Sequence, residues 1–324
     1  MGNGNNEMIR YARQPNERTF KEIGPSGKLS FLSSPIYPNQ KLFPNLAEID
    51  YQFREKDTIT LYCGKTAILN IIPDWVSNQL IFSAHDTYSK QKCFPNNCSA
   101  ISDTAEKVIR NYVNQVSVDK QQWAGEGIVQ SAWIERYSRN FQTVDSCFIF
   151  DREGVLGFDS TEERDKFSSN CKNSLIEIMA EINIQSKDWA TYNEKLPTEI
   201  DFVGASSSGD NIFIIEAKQI GSGSDKLYYS PIQVISYAIA WSKAIKCDGF
   251  IDTVNELIKA KKKASLIPDY CPAIKPNSMI TPVLLLPLDS MSEEVKRRLN
   301  IVLEVCNKYR PDVVSEIVIW NCDF

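Results

Sequence analysis

Three residues near the middle of the chain have the types and spacing for hydrolytic chemistry: Asp201, Glu216 and Lys218. They lie in the segment EIDFVGASSSGDNIFIIEAK, residues 199–218. Two apolar runs, 198–205 and 211–219, flank a small polar stretch and predict a β-hairpin. Side chains alternate along a strand, so Glu216 and Lys218 project from one face. A turn on Ser208-Gly209, with Ser207 and Asp210 beside it, places Asp201 directly across from Glu216, with Cβ atoms about 4.5–5.5 Å apart. A slip of two residues would leave them diagonal neighbours. Phe213, Ile214 and Ile215 mark a core strand, where an isolated charge costs roughly several kcal/mol. A divalent cation removes that conflict, because two carboxylates are the hard oxygen donors that magnesium takes. Lys218 can then position or help deprotonate a water, or stabilise charge on a phosphate. The competing reading is a surface ion pair of Asp201 with Lys218, with Glu216 at a strand end.

The next element is a helix over 231–245, with Pro231 in its first turn, where a missing N–H is harmless. Gln233 and Tyr237 stand four residues apart on it and share one face. An aspartate, a Glu-Ala-Lys strand after a hairpin, and Gln233-Val-Ile-Ser-Tyr237 on the following helix together resemble the PD-(D/E)XK nuclease superfamily, in its RecB-like, QxxxY-containing branch. The likeness covers about residues 160–250. Ile200 replaces the proline of the family's name. The resemblance implies a restriction-endonuclease-like fold and metal-dependent phosphodiester hydrolysis. Mg2+ or Mn2+ would sit on Asp201 and Glu216, Lys218 would serve the water and phosphate, and Gln233 and Tyr237 would close the site and help bind the strand. Many relatives add a glutamate from the helix before the first strand, which here implies Glu177, with Glu181 the alternative. Both lie opposite the apolar stripe of their helix, which also fits a plain solvated surface.

Two basic stretches are candidates for nucleic-acid contact. Lys226, Tyr228 and Tyr229 occupy a loop between the ExK strand and the QxxxY helix, where stacking and charge could touch a strand. Lys259, Lys261, Lys262 and Lys263 end a helix; they read as cations favoured by the helix dipole or, through Lys261, as phosphate contacts.

Residues 146–324 alternate strands and helices and predict an α/β layer with a central sheet covered on both faces. Strands are expected at 146–150 and 155–158 around a turn on Asp151-Arg152-Glu153-Gly154, at 280–286 and at 313–320. Helices are expected from a cap at Ser160 or Thr161, with Glu163 completing a capping box if Ser160 is the cap, through Phe167, Cys171, Leu175, Ile178, Met179 and Ile182 on one stripe, and at 252–263 and 293–308. Residues 1–145 read as an α+β module of unassigned role. In it, 1–45 is an irregular Pro- and Asn-rich arm, short strands lie near 58–63, 67–72 and 79–82, and helices run from Asp103 and over 128–137.

The chain has 324 residues, 43% hydrophobic, enough for two cored domains. Its net charge of −5 argues against coating nucleic acid by bulk electrostatics but not against a basic track on an acidic body. A single histidine, His85, excludes a His-rich zinc centre. Nine cysteines without a CxxC pair read as reduced thiols, with Cys93 and Cys98 the nearest to a ligand pair. No secretory signal or membrane-length apolar run is evident, so a cytoplasmic protein is expected. The expectation is a nuclease acting on DNA, in the restriction or defence roles habitual to the family, with the N-terminal module open to selecting the target, docking a protein partner or a second copy, or sensing a signal. The alternative is a non-catalytic nucleic-acid-binding or protein-interaction module on the same scaffold.

Overall fold

The computed structural model describes residues 9–13, 15–46, 48–96, 103–119, 125–139, 143, 146–185, 199–218 and 224–321. They divide into two compact units, one drawn from 1–12, 145–255 and 272–324, the other from 13–144 and 256–271. The chain changes unit at the expected boundary, yet each unit also takes a segment from across it.

In the first unit, β6 (Cys147–Gly154), β8 (Ile200–Ser206), β9 (Asn211–Ala217), β10 (Met279–Leu286) and β11 (Val318–Asn321) form a mixed sheet in the order β11-β10-β9-β8-β6. The pairs β6–β8 and β8–β9 are antiparallel, whereas β10 runs parallel to both β9 and β11. Long β-branched and aromatic runs make these central strands: Phe202, Val203, Ile212, Ile214 and Ile215 are fully buried. A separate short pair joins β1 (Arg10–Tyr11) to β7 (Leu156–Gly157).

The turn expected on Asp151–Gly154 does not form. β6 runs through it, with Asp151 and Arg152 buried at 1% and 0% exposure. Three charged residues and a glycine imitate a turn signal. Here the Tyr11 hydroxyl donates to Asp151 Oδ2 at 2.6 Å, which makes a buried carboxylate tolerable in a strand.

α5 (Thr161–Asn173) begins at the expected cap: Glu163 N donates to Ser160 Oγ at 3.1 Å, and Asp159 N to Glu163 Oε2 at 3.1 Å. The stripe expected on one helix breaks after Asn173 and resumes as α6 (Ile176–Gln185), keeping Phe167, Cys171, Leu175, Ile178 and Ile182 buried. α7 (Ser230–Ala244) lies on β9 and β10, and α9 (Glu293–Lys308) packs on α6 and α7.

The second unit holds an antiparallel sheet of β2 (Asp50–Phe53), β3 (Ile59–Cys63), β4 (Thr66–Asp74) and β5 (Gln79–Ser83) in sequence order. His85 caps the short α2 (Asp86–Ser89), accepting from Thr87 N. α3 (Asp103–Gln115) buries Ile109, Tyr112 and Val113. α4 (Glu126–Ile134) continues into a π-helical turn, Glu135–Arg139. The expected irregular arm is ordered from residue 9 onward wherever it is described. α1 (Glu17–Ile23) is capped by Asn16, whose Oδ1 accepts from Thr19 N at 2.9 Å, and sparse apolar residues (Ile23, Leu29, Leu32, Phe43) are each buried. α8 (Phe250–Lys263) carries the chain from the first unit into the second. Among the described residues no helix is long and apolar enough to cross a membrane. The seven described cysteines are free thiols, and Cys98 lies outside the described residues.

Candidate active site

The hairpin sets the site. β8 and β9 pair with Phe202 opposite Ile215, Val203 opposite Ile214, Gly204 opposite Phe213 and Ala205 opposite Ile212. This is the register predicted from a turn on Ser208-Gly209, and one more step brings Asp201 across from Glu216. Gly209 takes φ +72°, a left-handed turn position that suits glycine, and its N–H closes on Ser206 O at 2.9 Å. The two strands are tied at the site itself, where Ala217 N donates to Asp201 Oδ2 at 2.7 Å. On the other side of β9, Leu284 of β10 stands beside Glu216. Lys218 N donates to Leu285 O at 2.9 Å, so extended geometry persists through Lys218 and its side chain leaves on the same face as Glu216.

Two of the three ionisable groups meet directly, and the Asp201 carboxylate is held on the backbone of the residue between them. Lys218 Nζ donates to Glu216 Oε1, Glu216 is 3% exposed, and Asp201 is half-buried. Lys218 keeps 23% of its side-chain surface in solvent, which leaves the ammonium within reach of water or a phosphate. Glu216 does stand at the end of β9, as the competing reading has it, but it is buried beside Leu284 of β10 and pairs with Lys218.

Tyr237 of α7 is buried, and its hydroxyl donates to Glu199 O, two residues before Asp201. This bond fixes the entry of β8 and hence the height of the Asp201 carboxylate. Gln233 is half-exposed one turn earlier on the same face. Lys226 is exposed in the 3-10 segment Ser224–Tyr229 that leads into α7.

Two expected residues lie elsewhere. Glu177 is exposed on α6, whose buried face is Ile178 and Ile182. Among the described residues no three His, Cys, Asp or Glu side chains group around a possible metal position, so Glu177 does not join Asp201 and Glu216. Lys261 is no surface phosphate contact. It is 3% exposed, and its Nζ donates to Gln52 Oε1 at 2.7 Å, while Gln52 Nε2 donates in turn to Asp50 Oδ1 at 3.0 Å. Lysines 259 and 263 are the exposed members of that run.

Residues that the sequence reading passed over also border the site. Asp151 pairs with Val203, which puts it on the face of Asp201, and Tyr11, which holds Asp151, rests edge-on against Trp241 of α7 at 5.4 Å. Glu153 falls across from Asp201 by backbone register, between the pairs Arg152–Phe202 and Gly154–Ile200. Its φ of +50° breaks the side-chain alternation there, so a shared register does not carry over to a shared side. No local pattern signals either residue, because the pairing of β6 with β8 spans some fifty positions of chain. Beside the start of α7, the rings of Tyr228 and Tyr229 lie 4.5 Å apart and tilted by 45°, and the Arg298 guanidinium of α9 lies 5.3 Å over the Tyr228 ring. Burial, then the neighbouring Tyr228 phenol, pushes the Tyr229 hydroxyl up to about 12, so the ring stays neutral at physiological pH.

Chemically, two facing carboxylates and an adjacent ammonium supply two hard oxygen donors and one mobile cation. Magnesium is commonly held by one or two carboxylates, with waters and substrate phosphate oxygens completing its shell. A two-carboxylate set fits that habit and does not fit an all-protein cage. Against this geometry stands one negative finding: no protein-family model, no curated protein and no solved structure matches the chain.

Proposed function

We propose that this protein is a metal-dependent nuclease, hydrolysing phosphodiester bonds at the Asp201–Glu216–Lys218 site. The observation that supports the reading is the β8–β9 register, which one step beyond the Phe202–Ile215 pair would face Asp201 to Glu216, together with the Lys218–Glu216 ion pair. Asp201 and Glu216 would hold Mg2+ or Mn2+. When bound, such an ion supplies charge neutralisation at the phosphate and a more acidic water. Lys218 would orient the attacking water or donate to a non-bridging oxygen as a P–O bond forms to the water and the opposite P–O bond breaks. Tyr237 is a positioning residue, acting on Asp201 through Glu199, and Gln233 lies where a strand would pass. We read the first unit as a restriction-endonuclease-like domain, on the hairpin, the helix after it and the parallel strand that follows. DNA is the substrate this reading favours, and a defensive role against foreign DNA is an extension of it.

The direct test is incubation with plasmid and single-stranded DNA in magnesium, manganese or EDTA, comparing wild type with Lys218→Ala. Metal-dependent cleavage lost in the variant is expected. Cleavage indifferent to chelation or to the substitution would defeat the proposal. Gln233→Ala tests a separable part: undiminished activity would remove the QxxxY role and leave the metal site standing.

A further inference from the structure

β6 holds a charge that the proposed chemistry does not use. Asp151 is 1% exposed and stands beside Val203 in the β6–β8 ladder. Val203 is two residues from Asp201, so Asp151, Val203 and Asp201 share one face of the sheet. The packing around Gly154 agrees. A Cβ there would lie 2.6 Å from Val203 Cγ2 and 2.9 Å from Tyr11 Oη, which brings the Tyr11 hydroxyl up to the Val203 side chain. That hydroxyl donates to Asp151 Oδ2 at 2.6 Å. Glycine at 154 therefore leaves room for the tyrosine to reach the carboxylate. Tyr11 is itself fixed on two further sides: its N–H donates to Thr253 Oγ1 at 2.8 Å, and its ring meets Trp241 of α7 edge-on at 5.4 Å. Trp241 follows Tyr237 by one turn, and Tyr237 holds the entry of β8 at Glu199. All of these residues belong to the first unit. Packing alone gives no reason for an acid at 151, because a leucine of similar size is cheaper to bury than a charge.

We propose that Asp151 is an outer charge of the metal centre: without touching the ion, it tightens the hold of Asp201 and Glu216 on a divalent cation, and Tyr11 of β1 positions it. This rests on the metal-site reading of Asp201 and Glu216 and adds two residues to it. Diagonal neighbours on paired antiparallel strands lie about 7–8 Å apart, too far for Asp151 to share an ion with Asp201 as a direct ligand and close enough for its charge to be felt. Enclosure keeps that charge from being screened as a surface carboxylate would be.

The test uses the full chain, with Mn2+ affinity read by titration calorimetry and stability by urea denaturation without metal. A unit charge about 7–8 Å from a divalent ion changes its affinity by about 10- to 100-fold at an effective dielectric constant of about 30–65. Asp151→Asn keeps an oxygen for the Tyr11 hydroxyl and removes the charge, and should raise the Kd for Mn2+ by a factor in that range. Asp151→Leu removes charge and acceptor together. It should raise the Kd by the same factor although its stability differs, and it replaces the asparagine variant should that one fold poorly. In both, the ion should stay on Asp201 and Glu216. A Kd within about threefold of wild type in the folded variants overturns this inference alone, provided that Asp201→Asn still abolishes binding. Losses of affinity that track the losses of stability overturn it too, since they would mark a packing role. Wild type that takes up no Mn2+ overturns the metal-site reading and this inference with it.

Discussion

Replacing Lys218 by methionine should weaken the fold as well as the proposed chemistry, and the size of the effect follows from burial. Glu216 is 3% exposed, and the Lys218 ammonium sits on its Oε1. Removing one partner of a buried ion pair leaves an uncompensated charge, at a cost of about 3–5 kcal/mol when the pair is fully enclosed. Lys218 retains 23% of its side-chain surface in water, which screens the pair, so roughly 1–3 kcal/mol is expected. Methionine preserves most of the aliphatic volume, so the loss isolates the charge. Glu216→Gln removes the charge from the other side and should make Lys218→Met nearly harmless in the double variant. The assay is urea denaturation of wild type, both single variants and the double, analysed as a cycle. An interaction energy of about 1–2 kcal/mol is expected. Single-variant losses that simply add, within about 0.3–0.5 kcal/mol, would show that Lys218 and Glu216 do not act as a pair and would refute the reasoning.

Further outcomes follow from other contacts. Tyr11→Phe removes the hydroxyl that donates to buried Asp151 and should destabilise the protein by about 1–3 kcal/mol in the same denaturation assay; a loss under about 0.5 kcal/mol would mean that the bond contributes little. Lys261→Met should lower stability through the Gln52–Asp50 chain while leaving the salt dependence of DNA binding unchanged, and a flatter salt slope at unaltered stability would restore Lys261 as a phosphate contact. Burial pushes the Cys63 thiol up to about 12 and the Cys171 and Cys271 thiols up to about 11, from an ordinary value near 9. The folded state therefore holds protons that the unfolded state releases above pH 9, and stability should be intact below that point. It should fall as pH rises from about 9 to about 11–12, by at most about 1.4 kcal/mol per pH unit per thiol. Cys63→Ala should flatten the upper part of that decline, as read by denaturation midpoints across pH.

Much of the site was legible because a hairpin's register is fixed by its turn. Ser208-Gly209 between two apolar runs determines which residues face each other, and the observed Ala205–Ile212 to Phe202–Ile215 pairs follow that count. The partners of these strands were less legible. Asp151 and Arg152 look like a turn until Tyr11, far away in sequence, supplies the bond that lets a carboxylate enter a strand. Lys261 looks like part of a solvated run, and only the fold shows that one of its neighbouring faces meets Gln52. The Pro- and Asn-rich segment before Asp50 seemed irregular because its buried residues are spaced by turns and follow no helical or strand period. Glu177 illustrates the converse: a family's habit offered a ligand that the helix leaves in solvent.

The most direct measurement is a crystal grown or soaked with manganese and located by its anomalous signal. One ion is expected, with carboxylate oxygens of both Asp201 and Glu216 at about 2.1 Å, the spacing of a small hard cation. That ion should be lost in Asp201→Asn and in Glu216→Gln. A manganese ion bound elsewhere, held by only one of the two, or undiminished in those variants would contradict it.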